Sequence, residues 1–396
     1  MTARAGMRPR RIVYVQYTNP AGYPPLEHSS RILADAGWDV LFLGAEAFGA
    51  DSFKLPQHPS IEVLRLRSFG RGLRQRVNYA SFLAWVASVC IMRRPMWIYA
   101  SDAMSCPAAL AARVACGAKL LYHEHDTPPY GSRVSALQRV VRRARGVVAR
   151  TADLCVLPQQ QRLNAFVKET GRIGPGICVW NCPRLDETAP ARASLDRKAG
   201  LAFYYHGSLN PERLPLSVVE ALARTGEAAR LIVVGYETVG SRGYVRELLR
   251  RASELGVDGR IEYRGPIMDR ASMLRVAGEA DVGLAFMPAS TKDINMTYMT
   301  GASNKPFDYL AVGQMLLVSD LPDWRDMFVT PGYGQVCDPY DPADLSRAMR
   351  WCVEHPEEVR AAGEAGRRRI LSEWNYERGF DPVRKMLEAG FDRPRE

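Results

Sequence analysis

Short apolar runs alternate along the whole chain with longer segments whose apolar positions recur every three to four residues. The runs at 12–17, 39–44, 61–67, 97–102, 119–124, 154–158 and 177–181 predict strands. Helical periods lie between most of them, at 27–36, 79–94, 106–116, 133–149 and 159–169. Strands separated by helices imply crossover units and a parallel sheet. Residues 184–200 then break the pattern. They are polar, rich in Ala and charge, and lack an apolar period, so they read as a linker. The alternation restarts with strands at 202–206, 230–235, 260–264, 282–286, 315–319 and 334–337, and helices at 214–224, 243–255, 271–279, 302–312 and 342–370. A chain of 396 residues suits two such cores better than one.

In open parallel sheets, ligands sit beyond the carboxyl ends of the strands. Three such places carry candidate chemistry. The first is Tyr205–Arg213, where Gly207 and Ser208 make a small loop and Arg213 offers a fork matched to phosphate oxygens. The second is Gly235, after the strand LIVVG. An ordinary turn explains either place equally well. The third, Thr300 to Gly313, is the most specific. Gly301, Ala302 and Ser303 are small and precede a helix, whose N-terminus is a ready phosphate site. Asn304 and Lys305 open that helix. Asp308 lies one turn further in, on the Asn304 face, where a carboxylate can accept from two ribose hydroxyls. Phe307, Leu310 and Ala311 form the core stripe of the same helix. No Walker loop and no G-x-G-x-x-G fingerprint occurs.

These residues carry a resemblance. SNKPFDYLAVGQMLLVSDLP is similar to the nucleotide-sugar segment of retaining GT-B glycosyltransferases of the group 1, family 4-like type, and YYHGSLNPERLPLSVVEAL to the opening of their nucleotide-binding domain. LLYHEHD resembles the strand that ends in the acceptor-side histidine of that group, here His125, and VWNCP the close of its first domain. The resemblance implies a GT-B fold, two Rossmann-like α/β domains facing across a cleft. It implies an acceptor-binding domain at 1–183, the linker at 184–200, a nucleotide-sugar domain at 201–372, and a segment at 373–396 that crosses back to the first domain. Relatives commonly carry E-x7-E. This chain has Asp308 at the ribose position and Thr300 at the donor-sugar position. Ser208 stands near the position of the usual diphosphate Arg, which leaves Arg213 and Lys305 as the cations.

The implied reaction moves a sugar from a nucleoside diphosphate to a hydroxyl acceptor, with retention. The acceptor is a saccharide, a lipid-linked saccharide or a small metabolite, as in polysaccharide or glycoconjugate biosynthesis. Negative charge builds on the leaving diphosphate, where cations and helix N–H groups stabilise it without a metal or cofactor. The departing phosphate takes the acceptor proton, and His125 orients the donor sugar or assists the acceptor hydroxyl. A nucleotide-sugar epimerase of the same fold and a non-catalytic binding protein are the alternatives.

Composition adds a boundary and a partner class. Hydrophobic residues make up 47% and charged residues 24%, a globular balance with a net charge of +10. Two Arg-rich stretches hold the excess, 65–76 and 133–150, the second with valines interleaved. Such a helix suits either a solvated face or peripheral contact with an anionic membrane. No nucleic-acid signature accompanies it. The eight cysteines are scattered, with no Cys-x2-Cys pair, and the histidines complete no zinc spacing, so a reducing compartment is expected. The longest apolar stretch, 79–92, falls short of the ~20 residues of a membrane span. The expectation is a cytoplasmic protein, with the inner membrane face as its peripheral site.

Overall fold

The computed structural model describes residues 10–46, 54–55, 57–67, 73–128, 135–189 and 200–389. The chain forms two compact units, one made of residues 1–181 and 379–396, the other of Cys182–Arg378.

In the first unit the elements run β1 (Arg11–Gln16), α1 (Pro24–Asp35), β2 (Asp39–Ala45), β3 (Ile61–Leu66), α2 (Leu73–Arg93), β4 (Trp97–Ser101), α3 (Cys106–Cys116), β5 (Lys119–His123), α4 (Ala136–Thr151), β6 (Leu154–Leu157), α5 (Gln160–Thr170) and β7 (Gly176–Cys178). The strands form one parallel sheet in the order β3-β2-β1-β4-β5-β6-β7. The strand order reverses between β1 and β4, so the two chain directions diverge there and open a crevice at the carboxyl edge. Inward-facing residues such as Val13, Leu41, Ile98 and Leu120 pack against Val86 of α2, Ala109 of α3 and Val148 of α4.

In the second unit the order is β8 (Leu201–Leu209), α6 (Ser217–Thr225), β9 (Ala229–Glu237), α7 (Tyr244–Glu254), β10 (Ile261–Tyr263), α8 (Arg270–Ala277), β11 (Val282–Ala285), α9 (Ile294–Thr297), α10 (Asn304–Ala311), β12 (Met315–Ser319), α11 (Pro322–Trp324), β13 (Gly334–Cys337), α12 (Pro342–Glu354), α13 (Pro356–Ser372) and α14 (Tyr376–Glu388). The sheet reads β10-β9-β8-β11-β12-β13, again parallel, with its reversal between β8 and β11. Two parallel sheets, each covered by helices, make two Rossmann-like domains.

The helical period at 342–370 resolves into two helices. Pro356 lacks an N–H and fits the first turn of α13, so the chain breaks at His355, whose ring stacks on Trp351 at 4.7 Å. Pro382, a residue type that suits the first turn of a helix, lies inside α14. α14 begins six residues earlier, because Asn375 supplies the cap: its Oδ1 accepts from Arg378 N–H at 3.0 Å. The amide of Asn375 also donates to the Ile370 carbonyl at 3.1 Å, closing α13.

Residues 184–189, expected within the linker, are held on the second unit. Pro183 O accepts from Tyr376 N–H at 2.8 Å, and Ala311 O from Ala189 N–H at 3.0 Å. Glu187 pairs with Arg270 at 2.6 Å. The rest of the expected linker, 190–199, lies outside the described residues, as do 68–72 and 133–134 of the Arg-rich stretches. From Gly379 onward, α14 belongs to the first unit, where Trp97 Nε1 donates to the Leu387 carbonyl at 3.2 Å.

Candidate active site

The carboxyl end of β8 lies at the reversal point of the second sheet. Gly207 there has φ +118°, a conformation that disfavours any side chain. A Cβ at that position would stand 3.1 Å from Lys305 Cε and 3.3 Å from its Nζ. The first turn of α10 therefore lays Lys305 across Gly207, and its Nζ sits 5.4 Å from the centre of the Tyr205 ring. Gly235 has a different reason for its identity: a Cβ would overlap the Gly207 carbonyl oxygen on the neighbouring strand. Its small size serves the sheet at this point. The Ser208 carbonyl accepts from the Tyr205 hydroxyl at 2.6 Å, which fixes the loop. Arg213 follows in the next turn, with its guanidinium against the thioether sulfurs of Met287 and Met296, both weak acceptors. Burial and the charge of Arg213, opposed by Asp308, push the Lys305 ammonium down to about 7.

Thr300 to Ser303 form the turn into α10. Gly301 takes φ +83°, and the N–H groups of Ala302 and Ser303 both donate to the Met299 carbonyl at 2.9 Å. Ser303 occupies the cap position, but its side chain makes no capping hydrogen bond. The amides of Asn304 and Lys305 are thus left to the N-terminal end of the helix, where the backbone dipoles favour an anion. The Oδ1 of Asn304 is buried without a hydrogen-bond partner.

Asp308 is fully buried and held by a partner that sequence reasoning did not supply. Arg270, at the start of α8, grips it with two bonds, 2.5 Å to Oδ1 and 3.1 Å to Oδ2. His206 Nε2 lies 3.4 Å from Oδ2. Burial pushes the carboxyl up, but the Arg270 charge and the bonds from His206 and Arg270 outweigh it and hold it below its ordinary value. Glu187, Arg270, Asp308 and His206 form one polar string, buried at Asp308 and His206 and partly buried at Arg270 and Glu187. The carboxylate expected at the ribose position thus already accepts two hydrogen bonds from a guanidinium.

The first unit has its own cluster at its reversal point, at the ends of β1, β4 and β5. His125 is buried, with Nε2 3.1 Å from Ser101 Oγ and its ring 3.9 Å from that of His123. Burial and the charge of Arg162 push its imidazolium down to about 3, so the ring is neutral at physiological pH. Its backbone N–H donates to Asp102 Oδ1 at 2.9 Å. Asp102 has φ +61°, a conformation that costs a non-glycine residue free energy and recurs at functional sites. Burial, with the charge of Asp126, raises its carboxyl to about 8. Four buried polar atoms in this cluster have no partner: Gln16 Oε1, Ser105 Oγ, His123 Nε2 and His125 Nδ1. Such atoms ordinarily find a bond, and a group of them at a strand edge suits a ligand rich in hydroxyls. Glu124 points away, into a pair with Arg145 at 2.5 Å.

With both clusters in place, the comparisons decide the family. The family described as "Glycosyl transferase 4-like domain" matches residues 26–171, and that described as "Glycosyl transferase-like" matches 215–383. The chain belongs to the GT-B glycosyltransferases. Solved structures share the fold of this glycosyltransferase over nearly its whole length. Anabaena HepE, in complex with UDP and glucose, is 18% identical at a TM-score of 0.72, covering 96% of this chain and 100% of HepE. Sucrose-phosphate synthase from Thermosynechococcus elongatus is 16% identical at 0.71, covering 96% and 99%. WaaG, a glycosyltransferase involved in lipopolysaccharide biosynthesis, is 14% identical at 0.66, covering 96% and 100%. No curated protein matches the chain in sequence.

The glycosyltransferase thus gathers Gly207, Ser208, Arg213, Gly235, Thr300 to Lys305 and Asp308 within one unit, while His125 lies in the other. Sequence reasoning missed Asp102, Arg270 and a role for His206. Asp102 and His206 each stand at the carboxyl end of a strand, a signal that could have found them. Arg270 carries no local signal, since its partner is 38 residues away.

Proposed function

We propose that this glycosyltransferase transfers a sugar from a nucleoside diphosphate donor to a hydroxyl acceptor, with retention and without a metal. The observation that carries the reading is the Lys305 ammonium lying over Gly207 at the N-terminus of α10. A diphosphate placed there meets a cation, free helix amides and, from the next turn, Arg213. As the bond from the sugar C1 to the diphosphate oxygen breaks, negative charge grows on that oxygen, and these groups stabilise it. The acceptor hydroxyl attacks C1 from the same face, and its proton passes to the departing phosphate. Neutral His125 then acts as a hydrogen-bonding group toward sugar hydroxyls rather than as an imidazolium acid. Asp102, with its raised carboxyl, stands beside it to bind an acceptor hydroxyl.

HepE bound to UDP and glucose supports a nucleotide-sugar donor. The acceptor is a saccharide, a lipid-linked saccharide or a small metabolite. Among the described residues no helix is long and apolar enough to cross a membrane. The exposed side of α4 carries Arg139, Val140, Arg143, Val147 and Arg150, which supports peripheral contact with an anionic surface at the inner, cytoplasmic face. Arg145, counted with that basic face in the sequence, is buried in its carboxylate pairs.

The test is a panel of nucleotide sugars, each incubated with the protein in a strong chelator. Release of nucleoside diphosphate from one donor, undiminished by the chelator, is expected. Isomerisation of the sugar instead would favour an epimerase, and activity restored only by magnesium or manganese would remove the metal-free part of the reading.

A further inference from the structure

In the first unit α2 and α3 pack side by side, and each ends close to a cysteine. Cys90 of α2 is fully buried in the core, while Cys116, the last residue of α3, packs against that core and is partly exposed. The two thiols hydrogen-bond each other. The Cys90 S–H donates and the Cys116 sulfur accepts. That bond, helped by the N–H groups of Ala118 and of Cys116 itself, outweighs burial and holds the Cys116 thiol below its ordinary value. The same bond raises Cys90. Neither helix carries an acidic residue to oppose a thiolate at this place.

Other thiols of the chain differ. Cys106, Cys155, Cys337 and Cys352 are buried, and burial raises each of them. Cys178 is partly exposed, but burial still pushes it up to about 11. An accessible thiolate attacks an oxidant, and a second thiol lying against it closes a disulfide. Closure requires side chains that already point at each other. The hydrogen bond between Cys90 and Cys116 meets that requirement.

We propose that Cys116 and Cys90 are a peroxide-sensitive pair, in which hydrogen peroxide oxidises Cys116 and Cys90 then closes a reversible disulfide between α2 and α3. In the first step the Cys116 thiolate displaces hydroxide from the peroxide. A sulfenic acid forms, and the hydroxide takes a proton from solvent to become water. In the second step the Cys90 sulfur attacks Cys116 Sγ. The S–S bond forms, the S–O bond breaks, and the hydroxide leaves with the Cys90 proton as a second water. The two thiols are oxidised to the disulfide and the peroxide is reduced to water. A dithiol reductant reverses the change. In a reducing compartment the pair rests as two thiols and closes only when peroxide appears.

The experiment treats the reduced full-length protein with hydrogen peroxide near neutral pH, alkylates the remaining thiols, digests the chain and maps the peptides by mass spectrometry. The wild type is expected to yield a peptide pair joined through Cys90 and Cys116, which separates on addition of dithiothreitol. Cys116→Ser is expected to consume peroxide at least about tenfold more slowly, because the thiols that remain are buried or protonated. In Cys90→Ala the reaction stops at the sulfenic acid of Cys116, which dimedone labels. The wild-type crosslink needs no variant, so the test holds even where Cys90→Ala loosens the core. Absence of the joined peptides from the treated wild type would overturn the proposal. So would a Cys116→Ser protein that consumes peroxide at the wild-type rate.

Discussion

Asp308→Ala is expected to lower the stability of the second unit by about 3–5 kcal/mol, the loss typical of removing one partner from a buried ion pair. The loss follows from the string Glu187–Arg270–Asp308–His206. Arg270 is partly buried and makes two bonds to Asp308 against one to Glu187. Without Asp308 its guanidinium keeps one carboxylate, which places the expected loss toward the lower end of that range. Asp308→Asn preserves the shape and an acceptor oxygen and should cost less. The fluorescence of Trp324 and Trp374, both buried in this unit, reports the transition during denaturant unfolding. If Asp308 acted only as an open ribose acceptor, the Ala variant would unfold at the wild-type midpoint and differ in nucleotide affinity alone.

Ending the chain after Ser372 should have a larger effect. The deletion removes Trp374, whose ring meets Phe307 at 5.8 Å, Phe328 at 6.0 Å and Tyr333 at 5.6 Å in edge-on contacts. Phe307 lies on α10, so the core behind the Lys305 turn loses its support. The deletion also removes Phe380, Val383 and Leu387, all buried, from the first unit. Burying a large apolar side chain contributes about 1.5–3 kcal/mol. Four of them amount to about 6–12 kcal/mol, which rivals the whole stability of a typical domain. The truncated protein is expected to expose apolar surface, melt well below the full chain and lose transfer. A truncated chain with the full melting temperature and full activity would contradict this.

The alternation of strands and helices was legible in the sequence because each element is set locally. LIVV of β9 and MLLV of β12 are apolar throughout, as strands covered on both faces must be. The turn into α10 was legible for the same reason: small residues, a lysine and a carboxylate one turn on are a local pattern. The state of that carboxylate was not. Whether Asp308 faces water or a guanidinium depends on where α8 packs, and no spacing near residue 308 records it. The φ of Asp102 was equally hidden, since a glycine announces such a backbone and an aspartate does not. In the long helical stretch at 342–370 the apolar period continued through Pro356 and outweighed the one residue that breaks it.

The central claim is that a diphosphate rests on Lys305 over Gly207. The most direct test is a calorimetric titration of the nucleotide sugar identified by the transfer panel, at pH 6.5 and pH 8, into the wild type and Lys305→Met. Such a donor has no phosphate proton to lose in that range. With the Lys305 ammonium held down at about 7 in the free protein, it is charged at the lower pH and binds directly. At the higher pH it must first take up a proton, so affinity should fall, by up to about tenfold per pH unit above that value. The account predicts weaker binding at pH 8 for the wild type, and uniformly weak, pH-independent binding for Lys305→Met. Equal affinities for the two proteins, with the same response to pH, would place the diphosphate elsewhere.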